Sequence, residues 1–118
     1  MKGFACLALL ALAAPAAAQE VASAGGAVLR ALDKNTGLTE DLDVLAGGSV
    51  EFGRLNVTVS DCRYPVDDPT SNAFAHLDIA DRRSGKTEFS GWMVASSPAL
   101  SALDDPRYDV WLLRCKTS

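Results

Sequence analysis

His76 is the sole histidine of this 118-residue chain, so any acid–base or nucleophilic chemistry at neutral pH would centre on it. A serine–histidine–aspartate set can be drawn from Ser96 or Ser97, His76 and one of several aspartates. The spacing does not support it. No Gly-x-Ser-x-Gly elbow presents a serine, and Ser97 serves better as a helix cap ahead of Pro98. Zinc needs several nitrogen or sulfur ligands, which one histidine cannot supply. Asp67-Asp68 and Asp104-Asp105 could contribute to a calcium site, but they lack the D-x-D-x-D-G loop and read as solvated loop ends. Glu51 and Glu88 could form a glycosidase pair only if the fold brought them within about 5–10 Å. These residues point to no catalytic, metal or cofactor site.

The aromatic residues make a sharper candidate. Trp92, Trp111 and Tyr108 would form a platform for sugars or peptides if exposed on a β-sheet face. Packed instead, they would build a core with Phe89, Met93 and Leu112, the indole N–H groups finding partners. The second candidate surface is the longest irregular segment, residues 63–72, with Pro65, Pro69, Asp67 and Asp68. Loops on a rigid scaffold carry function more often than strands do.

The chain opens on Lys2, an apolar run over residues 4–14 and a Pro-Ala-Ala-Ala ending. This is the layout of a secretory signal peptide over residues 1–18. The run is too short for a membrane span, which needs about 20 residues. Cys6 lies inside the run, so Cys62 and Cys115 are the two cysteines of the exported chain. In an oxidising compartment they are expected to pair; two buried thiols are the alternative. The formal charge of −4 becomes −5 when Lys2 leaves with the leader. An acidic chain whose only basic knot is Arg82-Arg83 with Lys86 is unsuited to nucleic acid or anionic lipid.

Residues 19–26 are small and polar and read as a flexible leader, followed by a single domain over residues 27–118. Strands are expected at 27–33 and 38–44, joined by a turn at Lys34-Asn35-Thr36-Gly37. Leu38, Leu42 and Val44 lie on one parity of the second strand. Val50 and Phe52, then Leu55, Val57 and Val59, continue the period of two. Gly53 suggests a bulge or tight bend between them. Cys62 falls on the polar parity, so either this strand ends near Asp61, the favoured reading, or its second face is covered where a disulfide forms. Residues 73–81 and 87–95 form a second hairpin, and residues 96–106 read as one helical passage stopped by Pro106. The last strand, 108–115, is apolar on both parities and reads as an interior strand. About seven short antiparallel strands with one short helical connection define an all-β sandwich or small barrel.

From Phe89-Ser90-Gly91-Trp92-Met93-Val94 through Pro98 and Leu103 to Tyr108-Asp109-Val110-Trp111-Leu112-Leu113-Arg114-Cys115, the chain resembles the domain of unknown function 2155. That family comprises small exported proteins of Gram-negative bacteria. The stretch Leu29 to Lys34 with Thr36-Gly37, and the strand from Phe52-Gly53 to Cys62, fit the same pattern. The resemblance implies a periplasmic location and a cysteine pair matching Cys62 and Cys115. It implies no activity and no catalytic residue. The expectation is a non-enzymatic accessory protein of the cell envelope that contacts an envelope protein partner. A glycan-binding module using Trp92, Trp111 and Tyr108 is the alternative, and a small cell-wall hydrolase a further one.

Overall fold

The structure, a computed structural model, describes residues 20–117. The expected signal peptide lies outside the described residues. Eight strands form two antiparallel sheets: β1 Val21–Ser23, β2 Gly26–Asp33, β3 Thr39–Leu45, β4 Ser49–Phe52, β5 Leu55–Pro65, β6 Phe74–Asp81, β7 Thr87–Val94 and β8 Tyr108–Cys115. Strands β1, β5, β6 and β7 lie side by side, and β4 pairs with the first half of β5. The second sheet has the order β3-β2-β8. Neither closes on itself, so of the two expected architectures the sandwich is the one formed.

Period-two patterning explains which faces are buried. Leu55, Val57 and Val59 of β5 and Ala75, Leu77 and Ile79 of β6 are fully buried. Across from them stand Ala27, Leu29 and Ala31 of β2 and Val110 and Leu112 of β8, all in one continuous core. Leu42 and Val44 join this core as their parity requires, whereas Leu38 precedes β3 and is 57% exposed.

The two long hairpins use one turn twice, over Asp33-Lys34-Asn35-Thr36-Gly37 and Asp81-Arg82-Arg83-Ser84-Gly85. In each, the aspartate Oδ1 accepts from the backbone N–H two residues on, at 3.0 Å from Asn35 and 2.8 Å from Arg83. The glycine, at φ 77° or 74°, donates back to the aspartate carbonyl at 2.8 Å. Thr36 and Ser84 then accept from the N–H two residues further on. Aspartate supplies the local acceptor and glycine the left-handed backbone, which is why these residue types recur at this spacing.

Several expectations are corrected. The segment read as a flexible leader contains β1, which pairs antiparallel with the end of β5, Val21 opposite Pro65 and Ser23 opposite Arg63. Of its two expected readings, Gly53 takes the tight bend and not the bulge. It is the first central residue of a two-residue hairpin between β4 and β5, with φ 56° and no positive φ at Arg54, the pattern of a type II′ turn. The helical passage shrinks to one 3₁₀ turn, Pro98–Leu100. Ser97 makes no side-chain cap there, Leu100 is 75% exposed, and Leu103 goes into the core. So short a helix has little stability of its own. Burial of Leu103 and of Asp105, whose Oδ1 accepts from the N–H groups of Arg107 and Tyr108 at 2.7 and 2.9 Å, decides the path instead.

Cys62 and Cys115 form a disulfide that ties β5 to β8, one sheet to the other. Simple alternation turns both cysteines away from the core. Both are turned back by a bulge in their own strand. In β5 the pairing passes from Val59–Leu77 to Asp61–His76, leaving Ser60 as the extra residue. In β8 it passes from Leu29–Leu112 to Val28–Arg114, leaving Leu113. The bulge in β5 also lets the strand run on to Pro65 rather than end at Asp61. Strand β8 is an edge strand of its sheet, not an interior one, and its second apolar parity, Trp111 and Leu113, is half-buried.

At one pole, Arg107 grips Asp33, its Nη2 2.8 Å and its Nε 3.1 Å from the carboxylate, and its guanidinium lies 5.1 Å from the Tyr108 ring centroid. The hydrogen bond to Arg107 holds the Asp33 carboxyl below the ordinary aspartate range, against the opposing effect of desolvation. Asp41, bonded to Arg30, and Asp81, bonded to the N–H of Arg83, are lowered likewise. A carboxyl with a depressed folded value stabilises fully above its unfolded value and loses that contribution as pH falls through the folded one. Stability is therefore expected to be flat near neutrality and to fall on acidification below about pH 5. Asp33→Asn should flatten that slope, read from urea midpoints across pH; an unchanged slope would remove Asp33 from the account.

Candidate functional site

The outer face of the five-stranded sheet carries the candidate site. Its centre is Trp92 on β7, 40% exposed. Register places His76 of β6 directly beside Trp92 and Asp61 of β5 beside His76. The imidazole meets the indole edge to face, with ring centroids 5.4 Å apart. In the next row, Phe74 of β6 stands beside Arg63 of β5, and the Arg63 guanidinium lies 5.1 Å from the Trp92 ring centroid. Asp61 orients that guanidinium, accepting from its Nε at 2.8 Å. Val21 of β1 completes a shallow, largely apolar depression of about 300 Å³ lined by Val21, Arg63, Phe74 and Trp92. Four strands thus present an indole held on one side by a cation and on another by a ring.

Ser60, His76 and Asp78 do not form a serine–histidine–aspartate relay. His76 Nδ1 lies 2.9 Å from Ser60 Oγ, and the same nitrogen is 3.8 Å from Asp78 Oδ2. A relay needs the nucleophile and the orienting carboxylate on opposite ring nitrogens. Here both approach the same one. Ser60 Oγ also lies 3.2 Å from the His76 carbonyl oxygen, where it donates, and Asp78 accepts from Ser90 Oγ at 2.6 Å. The bulge at Ser60 places the hydroxyl beside its cross-strand neighbour as part of the sheet surface.

The other sequence candidates separate. Tyr108 is 2% exposed: its ring stacks edge-on with Phe52 at 5.9 Å, and its hydroxyl accepts from the Arg54 N–H at 3.3 Å. Trp111 lies on β8, opposite Arg30, on the outer face of the other sheet. Trp92 and Trp111 therefore look out from opposite sides of the sandwich, and the three-ring platform does not form. The core expected from both tryptophans does not form either. The alternating strands that bury Met93 and Leu112 turn the adjacent Trp92 and Trp111 outward.

Asp67 and Asp68 lie in the connection of residues 66–73. Asp68 is used locally: its carbonyl accepts from the N–H and Oγ of Ser71, and its carboxylate from Thr70 Oγ1. Pro69 to Asn72 form one wall of a cavity of about 370 Å³ beside the disulfide, with Ser96 and Leu113 opposite. Neither aspartate lines it. Glu51 on β4 pairs with Arg82, and Glu88 sits on β7, three strand spacings away across β5 and β6. That separation is about 14 Å, beyond a glycosidase pair.

Sequence reasoning missed Arg63, read as the start of a loop, and Val21, read as leader. Phe74 was legible, since it shares the outward parity of His76.

The fold and the patch together define a small disulfide-closed antiparallel β-sandwich with an aromatic–cation patch on one outer face. The chain belongs to a family described as uncharacterized proteins conserved in bacteria (DUF2155), whose model matches residues 27–115. It is similar to an uncharacterized protein of Rickettsia prowazekii (strain Madrid E), with 27% identity over 88 residues. That match covers 72% of this chain and 57% of the relative, so the chain spans little more than half of the relative's length. No solved structure matches.

Proposed function

We propose that this protein is a non-enzymatic, exported accessory protein of the cell envelope. It acts by protein–protein contact through the outer face around Trp92. The observation that carries the reading is the exposed indole, held between Arg63 and His76 on a rigid sheet. Tryptophan and arginine together are the side chains most enriched among residues that dominate binding energy, and a fixed ring loses little entropy on docking. Export to the periplasm is supported by the leader-like residues 1–18 and by the disulfide, which persists in an oxidising compartment.

The test is in-cell photocrosslinking from a benzophenone residue at Val21, with and without Trp92→Ala. A discrete crosslinked species is expected, its yield falling strongly in the variant, because truncating a central anchor costs about 2 kcal/mol or more, roughly 30-fold in affinity. Trp92 is 40% exposed, so the variant should keep its unfolding free energy within about 0.5–1 kcal/mol of the parent. No crosslinked species, or one indifferent to Trp92, would overturn the reading. Trp92-dependent co-sedimentation with peptidoglycan and no protein partner would replace it with glycan binding.

A further inference from the structure

We infer that the free edge of β7 pairs with the β7 edge of a second copy of this chain, joining two five-stranded sheets into one about a twofold axis at Gly91. An exposed strand edge is a template for another strand, and proteins blunt such edges by shortness, charge or cover. Each other edge is blunted in one of these ways. Strand β3 carries exposed Glu40, Asp41 and Asp43. Strands β1 and β4 have three and four residues. Strand β8 carries the charges of Asp109 and Arg114, and Pro98, Ala99 and Ala102 lie beside its Asp109, Val110 and Trp111. Strand β7 has eight residues, and its segment 89–94 bears no charge.

The ladder phase shows which groups β7 offers. Ala95 donates to the Ala73 carbonyl at 2.9 Å. Bonded pairs then recur at Met93–Ala75 and Gly91–Leu77, in register with it, and the residues between them turn their N–H and C=O away from β6. Those residues are Ser90, Trp92 and Val94. The Val94 carbonyl already accepts from Ser97 at 3.1 Å. Among the described residues, the edge N–H and C=O groups of Ser90 and Trp92 have no backbone partner, and both residues are exposed.

This offer is self-complementary, as a twofold contact requires. In antiparallel pairing about Gly91, Ser90 of each copy faces Trp92 of the other, and the two pairs exchange four backbone hydrogen bonds. Gly91 faces its own mate in the close, non-bonded position, where it presents no side chain. The uncharged segment sets no like charges against each other. The two indoles meet diagonally on one face, within reach of aromatic side chains. The dimer thus presents both Trp92 surfaces on the same side. This inference does not depend on the proposed envelope partner: a self-crosslink has twice the chain mass, and a heterologous one does not.

The test uses the protein purified from cells expressing the full sequence. Amide hydrogen exchange is measured at Ser90 and Trp92 from dilute to concentrated solution, beside sedimentation velocity. Both amides should gain protection in step with a monomer–dimer transition. Ser90→Pro removes an N–H that the single chain does not use, and two of the four bonds per dimer, so association should weaken roughly 30-fold. Ser90→Lys, an edge charge, should also weaken it, which guards against misfolding of the proline variant. A monomer at all concentrations, or a dimer in which the two amides exchange as fast as in the monomer, would overturn the inference. So would a dimer unaffected by either substitution.

Discussion

Replacing Cys62 and Cys115 together by alanine will lower the unfolding free energy by about 4 kcal/mol, the chain-entropy value for cross-linking residues 53 apart. Small domains have total stabilities of roughly 5–15 kcal/mol, so the loss is a large share of the whole. Both positions are buried. The bridge is the one disulfide between the two sheets among the described residues, and its removal leaves them held by the core and the connecting segments. Urea unfolding of the parent and the double variant gives the difference directly, and the slope with denaturant should also rise as the unfolded chain expands. Equal midpoints would show that unfolding does not release the 53-residue loop, and the stapling role would be withdrawn.

Gly53→Ala will cost about 2–4 kcal/mol, from two sources that can be separated. Gly53 has φ 56°, where a side chain is strained, and a Cβ added there would collide with the hydroxyl and ring carbons of Tyr108. Tyr108 cannot retreat, being 2% exposed and stacked on Phe52. Tyr108→Phe alone should cost about 1 kcal/mol, for the hydrogen bond from Arg54. In the Tyr108→Phe background, Gly53→Ala should cost about 1 kcal/mol less than in the parent, because the closest colliding atom is gone. Strict additivity would mean that backbone strain alone accounts for the glycine. This end of the sandwich would then rest on the turn rather than on tyrosine packing.

Much of the fold was legible because its rules are local. Alternation placed Val57, Val59, Leu77 and Ile79 in the core, and the polar, glycine-containing segments 34–37 and 82–86 marked both long turns. The strands were missed or mis-ended where a non-local partner decides. Strand β1 is too short to show a period, and it exists because the end of β5 offers an unpaired edge. Residues 96–106 carry good helix-start signals, but the core captures Leu103 and Asp105 instead. Of the candidate site, His76 and Phe74 could be placed on one parity, whereas Trp92 joins them only through the pairing of β6 with β7 and Arg63 only through pairing across β6.

The sequence by itself determined the all-β class and the alternating core. Each is a property of residue type and short-range period. Only the tertiary structure decided that Tyr108 is buried while Trp92 and Trp111 face opposite ways, and that the cysteines meet. Parity along a strand is a local quantity. One extra residue at Ser60 or Leu113 reverses it for everything that follows, and a bulge forms where the facing strand leaves that residue without a partner.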